Sequence, residues 1–522
     1  MKTFSKAEIL KNVGSSWFAL GINVLVGIFI SPYILHRLGD DAFGLWVLIF
    51  SVTGYYGLFD LGIRSSIVRY VAKYSAVDDH EQLNRLVSTA LASYSAVCLV
   101  CLLLTGVGAF FVSFLFRVSP DFLVTARWLF LMVGTSVAVG FPLGVFGGIL
   151  EGLQRFYLLN VTSVTSILLR ALLIVIVLKH GGGLLSVALI TVGLPLITAG
   201  INAVFVLHLL PLELSRHYVD RTTLRKIANY GGTTLMIIVA GRLRFKTDAL
   251  VIGTFLSSAA ITYFAIGSRL VDYATEVVSS LAQVFVPMSS QSDATGDLAS
   301  LRKIFVAGNR ACAMVIFPIS TMLIILGKSV IEAWVGKRYV ATSYPVLVVL
   351  LIPSTLMLAQ AASGRILFGM GRHRTWAWVV LAEGAANLIL SILLVRRFGI
   401  LGDAVGTAIP LTCSMLFFLP HHLCRLLRIP LGTYLREAFV LPLALCAPLV
   451  VTLLWMRHWF VAHNYAQLAA QLAAGSVVYG VGVLWAVWTR RAYQVSDFSR
   501  DRQTPAPSRA LAEQVPGGGL AK

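Results

Sequence analysis

The sequence predicts an all-α polytopic membrane protein of about fourteen transmembrane helices. They form two six-helix bundles related by a parallel repeat, with two extra helices at the C-terminal end. Three observations carry that prediction. The 522-residue chain is 57% hydrophobic and only 12% charged, with a mean hydropathy of +0.83, about half the charge fraction of a soluble domain. Its apolar residues gather in runs of about 20, long enough to cross the ~30 Å hydrocarbon core of a bilayer. The pattern of spans and loop charges also recurs at an offset of about 217 residues.

The apolar runs cover roughly 17–35, 42–62, 87–115, 123–150, 158–178, 184–210, 230–254, 259–286, 304–327, 341–368, 375–395, 400–424, 434–456 and 465–488. Met1–Asn12 is polar and basic and leads straight into the first run, so no cleavable signal is expected. Residues 1–211 are read as the first bundle and 212–229 as a basic amphipathic linker on the cytoplasmic side. Residues 230–428 make the second bundle and 429–488 the two extra helices. The tail, 489–522, is rich in Pro, Ser, Gly and charge and is expected to be disordered. With the N-terminus inside, the inner segments carry twenty-five Lys and Arg and the outer segments ten. Both termini are therefore expected in the cytoplasm. The net charge of +19 is spread over loops, tail and span interiors, and no basic soluble domain exists to hold a nucleic acid. Cys98 and Cys101 sit in an apolar run without His or acid nearby and read as packing residues.

The repeat aligns Ile149-Leu150 with Ile366-Leu367, Gly152 with Gly369, and Arg155 with Arg372. Lys179-His180 align with Arg396-Arg397 and Gly182 with Gly399, while Leu38 and Trp46 align with Leu256 and Phe264. An offset of six helices, an even number, means a parallel repeat about an axis along the membrane normal, and transporters of this kind bind substrate between the repeats near the midplane.

Seven cations fall inside the predicted spans: Arg170 in the first bundle, and Arg242, Arg244, Lys246, Arg269, Arg310 and Arg365 in the second. Gly241–Asp248 alone places three of them in the middle of one span. A charge at the bilayer centre costs about 3 kcal/mol, so such residues face a polar interior. Four acids accompany them, Asp248, Asp272, Glu276 and Glu383, which leaves a positive excess. Arginine suits phosphate because its planar fork grips two oxygens and keeps its charge. The pattern points to a cationic cavity for an anionic headgroup, most simply a phosphate or diphosphate. Each cation has a structural alternative: Arg365 can snorkel to the cytoplasmic interface, while Arg310 and Arg244 can pair with acids on neighbouring helices. The four acids double as candidates for coupling transport to an H⁺ or Na⁺ gradient. No cofactor is expected, and no GxxxxGK[ST] pattern occurs that would bind ATP.

The stretch Arg37-Leu38-Gly39-Asp40-Asp41-Ala42-Phe43-Gly44-Leu45-Trp46, followed by Asp60-Leu61-Gly62-Ile63, resembles the opening of the polysaccharide transporter family. Gly152-Leu153-Gln154-Arg155 and Ile266-Gly267-Ser268-Arg269-Leu270 are similar to that family as well. Its members are O-antigen, exopolysaccharide and capsule repeat-unit flippases of the multidrug/oligosaccharidyl-lipid/polysaccharide exporter superfamily. The resemblance implies a V-shaped pair of bundles in a bacterial cytoplasmic (inner) membrane. It implies a cavity that accepts an undecaprenyl-diphosphate-linked oligosaccharide from the inner leaflet and releases it to the outer one by alternating access. Membrane lipids, and a polysaccharide polymerase with its chain-length machinery, would then be the partners. Two other transporter readings stay open, a lipid II flippase and a cation-coupled multidrug exporter, although the arginine excess argues against cationic drugs. A membrane polymerase or ligase would carry a large outer loop, and every outer loop here is short.

Overall fold

In the computed structural model, the described residues are 6–227, 239, 241–242, 247–459 and 465–489, with side chains from Gly14 on except Ser113. They hold helices and no strand. Lipid offers the backbone no hydrogen bonds, so a helix that closes its own is the economical way across. The first part of the chain forms α1 (Lys6–Leu38), α2 (Asp40–Gly54), α3 (Ile63–Ser75), α4 (His80–Leu115), α5 (Leu123–Gly152), α6 (Phe156–Lys179) and α7 (Leu184–Leu209). After the linker come α8 (Asp248–Phe255), α9 (Ser258–Ala282), α10 (Phe285–Ala294), α11 (Leu298–Val335), α12 (Lys337–Ala359) and α13 (Ala361–Gly369). The chain ends with α14 (Arg374–Cys413), α15 (Leu419–Leu427), α16 (Leu431–Leu435), α17 (Leu441–Trp459) and α18 (Tyr465–Trp488).

Eleven helices among the described residues are long and apolar enough to cross a membrane. One of them runs from Arg374 to Leu427, 54 residues. At ~1.5 Å per residue this is more than twice the hydrocarbon thickness, and it bends at Gly399 (φ 59, ψ −142), where the chain turns back. The predicted span at 259–286 is a 25-residue helix, α9, which stands outside the eleven and carries Arg269, Asp272 and Glu276. The predicted span at 341–368 is broken at Gln360 into α12 and α13. Most of the predicted 230–254 span, and the tail from 490, lie outside the described residues. So do Arg244 and Lys246.

The repeat has a geometric counterpart. After α5, the Arg155 amide donates to Leu150 O at 2.9 Å; after α13, the Arg372 amide donates to Leu367 O at 3.0 Å. Gln154 and Gly371, at matching places in these turns, both take positive φ (56° and 67°). Gly152 lies against the carbonyl of Val68 and Gly369 against that of Val286, so close that an added Cβ would sit 2.9 and 2.6 Å from those oxygens. Matching helix starts follow the same offset: Asp79 caps α4 by accepting the Gln82 amide, and Asp297 caps α11 by accepting the Ser300 amide. These are local backbone solutions used twice.

The last two helices, α17 and α18, pack on each other and on α11. Their contact is apolar, with Leu445, Leu449, Leu453 and Tyr479 set against Leu326 and Met322. Elsewhere the outward-facing residues of the long helices are large and apolar, as at Phe29, Leu103, Phe110, Phe114 and Leu393, which is the surface a lipid phase requires.

Candidate functional site

A cavity of about 570 Å³ lies between the early helices and the later ones. Side chains from α1, α2, α6, α7, α8, α9, α11, α12 and α14 reach it. Arg170, Arg242 and Arg269 line it, with Asp248 and Asp272. Hydroxyl and amide groups, among them Asn23, Ser31, Ser51, Thr191, Ser268 and Thr275, share the wall with Trp46, Phe50 and Trp334. Three guanidinium groups against two carboxylates give an anion-accepting character.

Arg269 is half-exposed inside this space. Its Nη1 stands 3.9 Å from Asp272 Oδ2, and its guanidinium lies over the Tyr273 ring at 5.0 Å from the centroid. Arg170 projects from α6 on the other side, and the two guanidiniums are close enough to repel each other. Arg242 lies against the end of α2, where a Cβ on Gly57 would come within 2.7 Å of its Nη2. Glycine at position 57 thus gives the guanidinium its berth. Like charges held across a common space, from helices on both sides, are what a bound dianion relieves.

The other predicted residues lie elsewhere. Arg310 is buried and donates Nε to Glu437 O at 2.7 Å, which ties α11 to the segment before α17. Arg365, on α13, is not among the residues lining the cavity. Glu383 is buried and accepts the Ser414 hydroxyl. Glu276 is half-buried, two turns beyond Arg269, and its Oε2 has no hydrogen-bond partner. Sequence spacing alone could not separate these, because a helix interior can face either a cavity or a neighbouring helix.

Two features went unread as sites. One is a latch at a single end of the cavity. Asp40 Oδ1 accepts Arg338 Nη2 at 2.9 Å and the Tyr339 hydroxyl, and Oδ2 accepts the Tyr263 hydroxyl at 3.3 Å. Thr262 donates to Asp40 O at 2.7 Å, Ser258 donates to Asp41 Oδ1 at 2.8 Å, and the Arg117 amide donates to Gly253 O at 2.9 Å. Gly44 is so near Ser258 O that an added Cβ would overlap it at 1.7 Å. The same apolar cluster holds Leu45, Leu48 and Ile49 of α2 against Ile252, Ile261 and Leu347. Trp334 Nε1 also joins the two sides, donating to Ile28 O at 2.6 Å, and the Glu276 carboxylate hydrogen-bonds Asn23 of α1 farther from this end. The other feature is Asp403, fully buried one turn beyond the Gly399 bend. An acid that close to the start of an apolar run reads in sequence as the polar edge of a span.

Comparison with known proteins places this geometry in a group. A family model described as polysaccharide biosynthesis protein matches residues 9–293, more than half of the chain. A Shigella flexneri protein named "Putative O-antigen transporter" is 19% identical over 405 residues, covering 77% of this chain and 94% of that one. Among solved structures, the lipid II flippase MurJ in an inward closed conformation superposes with a TM-score of 0.71 at 15% identity, covering 93% of this chain and all of that one. An inward-facing multidrug resistance MATE family transporter of the MOP superfamily gives 0.67 at 14% identity, covering 78% and 94%.

Proposed function

The chain belongs to the polysaccharide biosynthesis protein family, and from that premise we propose that this multi-pass transporter moves an undecaprenyl-diphosphate-linked oligosaccharide from the inner to the outer leaflet of a bacterial cytoplasmic membrane. The observation that carries the reading is the shared cavity of Arg170, Arg242 and Arg269. It supplies three fixed cations for a headgroup with two phosphates, and Arg170 and Arg269 reach it from opposite sides. The hydroxyl, amide and indole groups around them suit a saccharide, which is bound by hydrogen bonds and by stacking on flat apolar faces.

The mechanism that follows is alternating access. The Asp40 latch closes one end; on the reading of the loop cations that end faces outward, and the substrate enters from the cytoplasmic side. A headgroup entering from the inner leaflet neutralises the Arg170–Arg269 repulsion and lets the two sides approach. Parting of the Asp40 contacts then opens the outer end. Both termini lie in the cytoplasm on this reading. An acid-lined cavity would favour the multidrug alternative, and here cations exceed acids. The lipid II alternative shares the diphosphate and differs in the sugar.

The test is chemical analysis of lipid extracts from cells lacking the gene, complemented with wild type or with Arg170→Ala/Arg269→Ala. Accumulation of the diphosphate-linked oligosaccharide and loss of surface polymer in the null and the double variant support the reading. Normal surface polymer with no accumulation in the null excludes it, and accumulation of the peptidoglycan precursor favours lipid II.

A further inference from the structure

The chain that follows α7 is strapped to the first half of the molecule. The Glu213 amide donates to Asn84 Oδ1 at 3.2 Å and the Asp220 amide to Thr89 Oγ1 at 3.2 Å, both on α4. Ser66 Oγ of α3 lies 3.2 Å from Ile227 O. Residues 221–227 are helical. Asp220 starts that helix by accepting the Thr222 and Thr223 amides at 3.1 and 3.0 Å. Thr223 and Ile227, four apart, form its packed stripe and are buried. Arg221, Leu224 and Arg225 share the other side and are exposed, as is Lys226. Leu214 and Val219 stand out from the strap as well. Three large apolar side chains thus lie exposed among cations: Leu214 at 44%, Val219 at 46% and Leu224 at 43%.

The level of this face in the fold says what covers it. α7 keeps large apolar side chains outward down to Leu207 and Leu209, so the hydrocarbon boundary lies at the end of that helix. The strap begins directly beyond it. Its anchor Thr89 falls at the start of the apolar run of α4, so the strap runs along the headgroup layer. Its cations also exceed its acids, with Arg216, Arg221, Arg225 and Lys226 against Glu213 and Asp220. Glu213 accepts the Tyr218 hydroxyl at 3.0 Å, and Asp220 is occupied by the helix start. We propose that the strap, residues 212–227, is a docking face for anionic phospholipid of the adjoining leaflet. Leu214, Val219 and Leu224 enter the boundary between headgroups and acyl chains, while the cations meet lipid phosphates. The reading of the loop cations makes this the cytoplasmic leaflet. Zwitterionic lipid would take the apolar side chains and leave the excess positive charge unanswered. A soluble acidic protein would have to displace headgroups to reach a face at this level. The inference rests on the multi-pass fold and stands apart from the flippase reading.

The experiment uses the full-length protein carrying Leu224→Cys, labelled with a fluorophore and reconstituted into vesicles. One set is phosphatidylcholine alone, and the other contains 30% phosphatidylglycerol. Quenching by headgroup-proximal spin-labelled lipid reads contact with the bilayer, and the parent without that cysteine serves as background for the native thiols. The proposal expects strong quenching in the phosphatidylglycerol vesicles, weak quenching in phosphatidylcholine, and loss of the difference at high salt. Each Lys or Arg beside an anionic surface raises partitioning about fivefold, so Arg221→Gln/Arg225→Gln/Lys226→Gln weakens it about a hundredfold. Arg221→Lys/Arg225→Lys keeps the charge and keeps the quenching. The Tm of both variants stays with that of the labelled parent, because the altered side chains are exposed. Equal quenching in the two vesicle types, or quenching that the triple variant leaves unchanged, overturns the anionic lipid as occupant. A label that stays in water on both vesicle types overturns the proposal and leaves the face to a soluble partner.

Discussion

Asp40→Asn keeps the shape of the latch, which we propose faces outward, and removes its charge. Arg338 is 60% exposed and the Asp40 side chain 17%, so their ion pair contributes at most about 1 kcal/mol. The Tyr339 and Tyr263 hydroxyls donate to the same carboxylate. Their replacement by bonds to a neutral amide, which has one acceptor in place of two, costs about 1 kcal/mol more. The sum, ~2 kcal/mol, shifts the ratio of outward-open to outward-closed molecules about thirtyfold toward open. The assay places a cysteine at Ser268, which lines the cavity, and follows its reaction with a membrane-impermeant maleimide added outside intact cells. The parent lacking that cysteine serves as background for the native thiols. Asp40→Asn is expected to speed labelling by about thirtyfold while Tm changes little, since the lost bonds join two sides of the cavity and not the core of either. An unchanged rate, or acceleration only when reagent is supplied from the cytoplasmic face, refutes the latch and its assignment to the outer end.

Other outcomes follow from the same geometry. Arg269→Gln loses a charge-assisted contact to the headgroup, ~1.5–3 kcal/mol, so affinity for a diphosphate lipid in a fluorescence titration falls roughly 10- to 100-fold. Its Tm barely moves, because the 3.9 Å contact to Asp272 is half-exposed and contributes under about 1 kcal/mol; a large Tm loss with unchanged affinity contradicts this. Gly369→Ala puts a Cβ 2.1 Å from Ser289 Oγ and 2.6 Å from Val286 O, an overlap expected to cost about 1–3 kcal/mol and visible as a lowered unfolding temperature. The Ser300 hydroxyl and amide hold the Asp297 carboxyl below the usual carboxylate range. Its contribution to stability is therefore present above the unfolded-state pKa and lost as pH falls through the folded one. Wild type should lose more Tm than Asp297→Asn between pH 5 and 3, and parallel curves would refute the cap.

The fold class was legible because hydrophobic length is a one-dimensional property. Runs of apolar residues translate directly into helices such as α4, α5 and α7, and the offset between Arg155 and Arg372 reappears as a shared turn. The candidate site was legible in part. Arg170, Arg242 and Arg269 share the cavity, since a cation at midspan needs a wet face and here finds one. Arg310 has the same composition signal and a different solution, a backbone carbonyl on the segment preceding α17. Asp403 and Asp40 were missed as sites for a physical reason. Each lies near a helix end, where an acid needs no explanation in sequence, and only the folded chain brings Asp40 to Arg338, 298 residues away, or buries Asp403 completely.

The central claim, that a cationic cavity carries a diphosphate-linked saccharide across the bilayer, is tested most directly in proteoliposomes. A fluorescent polyprenyl-diphosphate oligosaccharide is incorporated, and its arrival in the outer leaflet is read by quenching with a membrane-impermeant reductant. The account predicts rapid exchange with wild type and exchange at the protein-free rate with Arg170→Gln/Arg269→Gln, at equal amounts of folded protein. Wild-type exchange no faster than empty liposomes, or a double variant as fast as wild type, would contradict it.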